Sequence, residues 1–160
     1  MFARSTDGGK TFSPATKLSP SFNNRIIGGR QGSTIRTDAN GNIYVVWESG
    51  VTLNGTKTDA QVFAKSTDGG VTFSKQAVIS PVVDLPDPLP GASFRNDSSP
   101  TVDIDQTSGT IYVAWADFRN GRGQVMLSTS SDGGARWSPA RAVLDVPRPQ
   151  HVLPGRSSFA

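Results

Sequence analysis

Cysteine is absent from the 160 residues, so no disulfide can hold the fold and the redox compartment cannot be read. Histidine occurs once, as His151, which excludes a multi-histidine metal site within the chain. Glutamate also occurs once, as Glu48, against 12 aspartates, the acidic residue that turns favour. No apolar run reaches the ~18 residues of a membrane helix, and Met1-Phe2-Ala3-Arg4-Ser5 lacks signal-peptide architecture. The 11 Arg and 5 Lys form no basic run and do not interleave with aromatics. A phosphate footprint needs such clustering, so nucleic acid is not an expected partner. No Ser/His/Asp or Gly-rich phosphate motif is present. Long helices are excluded as well, because the longest stretch without Gly or Pro, Thr56 to Asp68, has 13 residues.

Between these breaks lie short runs rich in Ile, Val, Tyr, Phe, Trp and Thr, the composition of an all-β protein. They repeat. Ser5-Thr6-Asp7-Gly8-Gly9-Lys10-Thr11-Phe12 returns as Ser66-Thr67-Asp68-Gly69-Gly70-Val71-Thr72-Phe73. It returns again as Ser130-Ser131-Asp132-Gly133-Gly134-Ala135-Arg136-Trp137, the aspartates standing 61 and 64 residues apart. Gly41-Asn42-Ile43-Tyr44-Val45-Val46-Trp47 recurs 68 residues on as Gly109-Thr110-Ile111-Tyr112-Val113-Ala114-Trp115. Leu89-Pro90-Gly91 with Phe94 recurs as Leu153-Pro154-Gly155 with Phe159.

Each unit reads as four strands: Thr34–Thr37, Ile43–Trp47, Gln61–Lys65 and Ala77–Ser80, then Thr101–Ile104, Ile111–Trp115, Gln124–Thr129 and Arg141–Leu144. The second strand is apolar on both faces, so both must be covered, as in a propeller blade sandwiched between neighbours. The organisation is therefore 1–20 as the second half of a blade, 21–81 and 82–145 as full blades, and 146–160 as the start of another. That makes about 2.6 blades, whereas rings need four or more. The chain is expected to be a fragment or to assemble with other copies.

The pattern Ser-x-Asp-x-Gly-x-x-(Phe/Trp) resembles the Asp box, or bacterial neuraminidase repeat, of sialidase-like β-propellers. In chemical terms Asp-Gly-Gly supplies positive-φ residues for a tight turn. Asp7, Asp68 and Asp132 can accept bonds from their own backbone, braced by Ser5, Ser66 and Ser130. Gly9, Gly70 and Gly134 shape the turn, and Phe12, Phe73 and Trp137 plug it onto the blade. The resemblance implies a structural role for these residues and places the turns on the face away from the active site.

The same resemblance implies what a sialidase needs: three arginines to grip the sugar carboxylate, a tyrosine nucleophile beside a glutamate, and an aspartate acid/base. Tyr44 and Tyr112 share one repeat position and read as core residues, so no nucleophile is expected here. Glu48 closes the second strand with no tyrosine near it. Asp117-Phe118-Arg119 resembles an Asp-x-Arg pair of the family; Arg30-Gln31-Gly32 stands where its Arg-Ile-Pro motif would, matching only at the arginine. Arg30, Asp59, Asp117 and Arg119 are thus the weak catalytic candidates, and a surface Asp–Arg pair is the competing reading. His151 reads as a loop residue. Asp103 to Gly109 and Asp38 to Gly41 read as plain turns rather than calcium loops. Asn54-Gly55-Thr56 and Asn96-Asp97-Ser98 are glycosylation sequons.

No cofactor or metal is expected. The resemblance implies an extracellular or periplasmic location. It also implies glycans or sialylated substrates as partners, beside further blades of the parent chain or other copies. Three functions fit: a non-catalytic binding scaffold, part of an exo-sialidase with its nucleophile in other blades, and an oligomeric lectin.

Overall fold

The computed structural model describes residues 1–19, 30–89, 91 and 93–143. Among these, eight strands form two four-stranded antiparallel sheets. β1 (Arg30–Thr37), β2 (Ile43–Leu53), β3 (Thr56–Ser66) and β4 (Ala77–Val82) pair in chain order. So do β5 (Thr101–Ile104), β6 (Ile111–Asp117), β7 (Gln124–Ser130) and β8 (Arg141–Ala142). The architecture is that of an all-β protein with two propeller blades and no closed ring. The repeats at Leu153-Pro154-Gly155 and Phe159, together with Leu144 and His151, lie outside the described residues.

Several strands run longer than their apolar cores suggest. The β2–β3 ladder continues past Trp47 and Val62 out to Leu53↔Thr56. It is closed by Asn54 (φ 50°) and Gly55 (φ 81°), and two positive φ values give the hairpin turn whose twist suits its strands. Glu48 is therefore a mid-strand residue rather than a strand end. β1 likewise reaches back to Arg30, with a register shift between Gln31 and Thr34. There Gly32 lies so close to Ser99 that no Cβ could fit between them.

Two apolar layers follow from the alternation of side chains. Tyr44 and Val46 on one face of the first sheet pack with Val102, Ile104, Ile111, Val113 and Trp115 of the second. Val45, Trp47 and Val51 on the other face join Ala60, Val62 and Ala64, with Phe2, Leu18 and Phe73 against them. Phe2 and Thr16 pair through two backbone bonds of 2.8 and 2.7 Å, so the N-terminal segment is a hairpin covering that face.

The two sheets meet at a repeated joint. The Phe63 ring packs edge-on to Trp137, centroids 5.3 Å apart, over Gly134. Phe2 meets Phe73 in the same way, at 4.7 Å over Gly70. In both, the second glycine of a turn leaves the space that an aromatic ring from the preceding unit fills. Phe12, third of the series, is 65% exposed and plugs nothing.

Tyr112 departs from expectation too. Tyr44 is 3% exposed but Tyr112 is 41% exposed, so the shared repeat position does not make both core residues. Tyr44 is covered by the second sheet, whereas among the described residues nothing covers the corresponding face of β6.

The joint makes a direct prediction. Gly9 and Gly134 occupy equivalent positions with φ of 86° and 91°, but an added Cβ meets nothing at Gly9 and meets Phe63 at 2.5 Å at Gly134. Backbone strain is thus common to both alanine variants. Gly134→Ala should cost about 1–3 kcal/mol more than Gly9→Ala in chemical denaturation, the usual range for overpacking. Equal costs would remove the packing role of the joint.

Candidate functional site

The sheets have two distinct ends. At one lie the repeated Ser-x-Asp turns, next to Ser66 and Ser130; at the other lie the Asn54–Gly55 turn and the Asp117↔Gln124 pair. The three turns are nearly superimposable in their bonding. The Ser5, Ser66 and Ser130 hydroxyls donate to Asp7, Asp68 and Asp132 at 2.7, 2.8 and 2.9 Å. The same hydroxyls accept from Gly9, Gly70 and Gly134 N–H at 2.8, 2.8 and 2.9 Å. Each carboxylate also accepts a backbone N–H four residues on, from Thr11, Thr72 and Arg136, at 2.9 Å in each case. Hydrogen bonds led by the Thr11 and Thr72 side chains hold Asp7 and Asp68 well below the usual carboxylate range. For Asp132 the Arg136 N–H leads. Carboxylates so saturated with donors are poorly suited to proton transfer.

The opposite end holds Asp117 and Arg119. This is not a surface pair, since Asp117 is 0% exposed. Its oxygens accept from Arg119 N–H and Nε, each at 2.8 Å, from Arg119 Nη2 at 2.7 Å, and from Trp115 Nε1 at 3.0 Å. Arg119 Nη2 also donates to the Pro81 carbonyl at 2.7 Å, and Phe118 N–H to Val83 O at 2.7 Å, both on the neighbouring sheet. Burial pushes the Asp117 carboxyl up, but the Arg119 bonds outweigh it and hold the group below its ordinary value. The pair braces the seam between sheets. Broken, it would strand a buried charge.

Between brace and apolar seam is an acidic recess. Glu48 and Gln61 are cross-strand partners, so their side chains share a face; Asp59 is two residues along β3 on that same face. Gln61 Nε2 donates to Ser98 O at 2.8 Å, under the β4–β5 crossover that carries Asp84 and Asp97. Gln31 Nε2 donates to Asp97 at 3.2 Å, and Gln31 lies directly opposite Glu48 in the β1–β2 ladder. Glu48 is 1% exposed, and burial, then Asp84, Asp97 and Asp59, push its carboxyl up to about 7. Burial, then the neighbouring carboxylates, raise Asp84 against a bond from Ser98; burial and Asp84 raise Asp59. Glu48 Oε2, Gln61 Oε1 and Asp59 Oδ1 are buried acceptors without a hydrogen-bond partner.

The sequence candidates are thus only partly brought together. Asp59 joins the recess; Asp117 and Arg119 form the brace next to it; Arg30 begins β1, and only its backbone is described. Tyr44 and Tyr112 lie toward the other end, where the Tyr44 hydroxyl donates to Asp38 at 3.1 Å. Asp38 and Asp105 bond within their own turns, and among the described residues no three His, Cys, Asp or Glu form a metal cluster. Glu48, Gln31, Gln61, Asp84 and Asp97 were missed as a group. The available signal was the chain's single glutamate beside the apolar run Ile43–Trp47.

A cavity of about 370 Å³ lies across the first sheet from the recess, between the N-terminal hairpin and β1–β2, reaching Trp47. The Trp47 indole N–H has no partner.

The recess sets a pH dependence. Glu48 keeps its proton to about 7 in the folded chain but loses it near 4.5 when unfolded. The folded state therefore binds more protons between these values, and stability must fall as pH rises from 4.5 through 7. Glu48→Gln should flatten that slope and gain about 1–3 kcal/mol over the parent at pH 8, by urea titration across pH. A parent protein whose stability rises over that window would contradict the assignment.

Residues 1–155 match the family described as BNR repeat-like domain. Among curated proteins, none matches this chain. A solved structure titled Hadza microbial sialidase Hz136 is similar at 22% identity and a TM-score of 0.49, over 71% of this chain and 26% of that one. This chain therefore spans about a quarter of that protein's length. Among the described residues no helix is long and apolar enough to cross a membrane. With the family matched over nearly its whole length, the chain belongs to the BNR repeat-like, sialidase-like family.

Proposed function

We propose that this chain is a non-catalytic binding scaffold of the sialidase-like type, presenting the end opposite the Ser-x-Asp turns to glycans outside the cell. The turns then serve as Asp boxes with a structural role. The observation that carries this reading is the state of Arg119. Its Nε and Nη2 groups are spent on Asp117 and the Pro81 carbonyl. A carboxylate-gripping arginine needs its planar fork free for the ligand. The other chemistry is missing as well. Neither of the chain's two tyrosines, Tyr44 and Tyr112, lies near Asp117 or Glu48; Tyr44 instead bonds Asp38, a residue of the β1–β2 turn at the opposite end.

Among the described residues Glu48, with a carboxyl raised to about 7, is the group best suited to general acid work, and its neighbours are other carboxylates rather than a nucleophile. Such an arrangement suits recognition better than hydrolysis of an anionic sugar, because the recess repels a carboxylate.

The test pairs two measurements on the purified chain. A fluorogenic sialoside should show no turnover above buffer, while a glycan array should show saturable binding to a restricted set of sugars. Turnover that disappears in Arg119→Ala while the fold persists would sink the scaffold reading in favour of a glycosidase. An array without any binding would remove glycans as the partner.

A further inference from the structure

The acidic recess is short of hydrogen-bond donors. Glu48 Oε2, Asp59 Oδ1 and Gln61 Oε1 are three buried acceptors with no partner, and Glu48 and Gln61 belong to nearly or fully buried side chains. An unpaired buried acceptor is costly; the proton that Glu48 keeps can serve one of the three, and the rest still lack a donor. Three further carboxylates stand near enough to Glu48 on β2 to act on its charge: Asp59 on β3, and exposed Asp84 and Asp97 on the crossover. Asp117, next to them, is already neutralised by Arg119. None of the first four is in a salt bridge with a described residue, although the chain as a whole carries a net charge of +3.

We propose that the recess of Glu48, Asp59, Gln61, Asp84 and Asp97 binds a primary ammonium group, carried by an amino sugar. An ammonium has three donors and no acceptor, and so supplies what Asp59 Oδ1, Gln61 Oε1 and a deprotonated Glu48 would need. Its charge offsets the mutual repulsion of the carboxylates. A metal ion fits less well, because among the described residues no three His, Cys, Asp or Glu are grouped so as to hold one. Gln31 stands partly in the ligand's place: its amide donates to Asp97, and it lies opposite Glu48 in the β1–β2 ladder at the half-buried rim. Swinging that side chain aside admits the ammonium past exposed Asp84 and Asp97 to Glu48. On arrival Glu48 gives up its proton and becomes the ammonium's counter-ion. The sugar part rests on the glycan-binding reading above; the ammonium part does not.

The test is calorimetric titration of the whole chain at pH 6 with a glucosamine disaccharide, its N-acetylated counterpart, N-acetyl-lysine amide and calcium chloride. The expected result is binding of the free amino sugar at least ~10-fold tighter than of the acetylated one. Titration in buffers of different ionisation enthalpy should show proton release, lost in Glu48→Gln. Asp84→Asn, at an exposed position, should weaken binding several-fold without affecting the fold. Equal affinity for the two sugars, or an unchanged Glu48→Gln, would overturn the ammonium site while leaving a glycan scaffold intact. Binding of the lysine derivative alone would overturn the sugar assignment, and binding of calcium alone would replace the ligand class.

Discussion

A sheet that is apolar on both faces cannot stand by itself in water, and every other feature of this chain follows from how that constraint is met. β2 buries Tyr44 and Val46 on one side and Val45 and Trp47 on the other. Each face then requires a neighbouring layer, supplied by the second sheet and by the N-terminal hairpin. The repeated turn settles the spacing at one end. A glycine without a Cβ, Gly134 or Gly70, accepts the ring of Phe63 or Phe2, so that each unit is keyed to the next. The serine and aspartate of the turn spend their hydrogen bonds on holding that glycine in its left-handed conformation.

At the other end of the seam no aromatic key is present, and the sheets are held by charge. Asp117 is wrapped by Arg119, Trp115 and a backbone N–H, and Arg119 reaches the neighbouring sheet at Pro81. With that cation engaged, none of the nearby carboxylates has a salt bridge to another described residue. Glu48 pays the largest part of that imbalance, buried with three other carboxylates around it. The brace and the recess are thus two halves of one electrostatic arrangement: one acid is satisfied by a cation, and Glu48 and Asp59 each keep a buried oxygen without a donor.

The blade pattern was legible in the sequence because its signals are local. The Asp-Gly-Gly turns, the alternation through Ile43–Trp47 and the recurrence at about 62 residues each depend on neighbours along the chain. Strand lengths were not, since β2 continues through Ser49 and Gly50 on the strength of backbone pairing to β3, with Ser49 also opposite Arg30 of β1. Asp117 and Arg119 were recognisable as a pair, but their burial depends on the Pro81–Val83 backbone of another unit, some 35 residues away. The recess was the least legible feature. Its members come from β1, β2, β3 and the crossover, and no sequence spacing relates Gln31 to Asp97. The exposure of Tyr112 against the burial of Tyr44 shows the same limit: identical repeat positions acquire different environments from what packs against them.

The account is tested most directly by a double-mutant cycle on Asp117→Asn and Arg119→Met, with stability and glycan binding measured on all four proteins. If the pair is a brace, each single change lowers stability, and the coupling is at least ~1.5 kcal/mol, as expected of a buried charged pair. Glycan affinity should then change little in any variant that still folds. Single variants with unaltered stability and abolished binding would contradict the account and place Arg119 on the ligand.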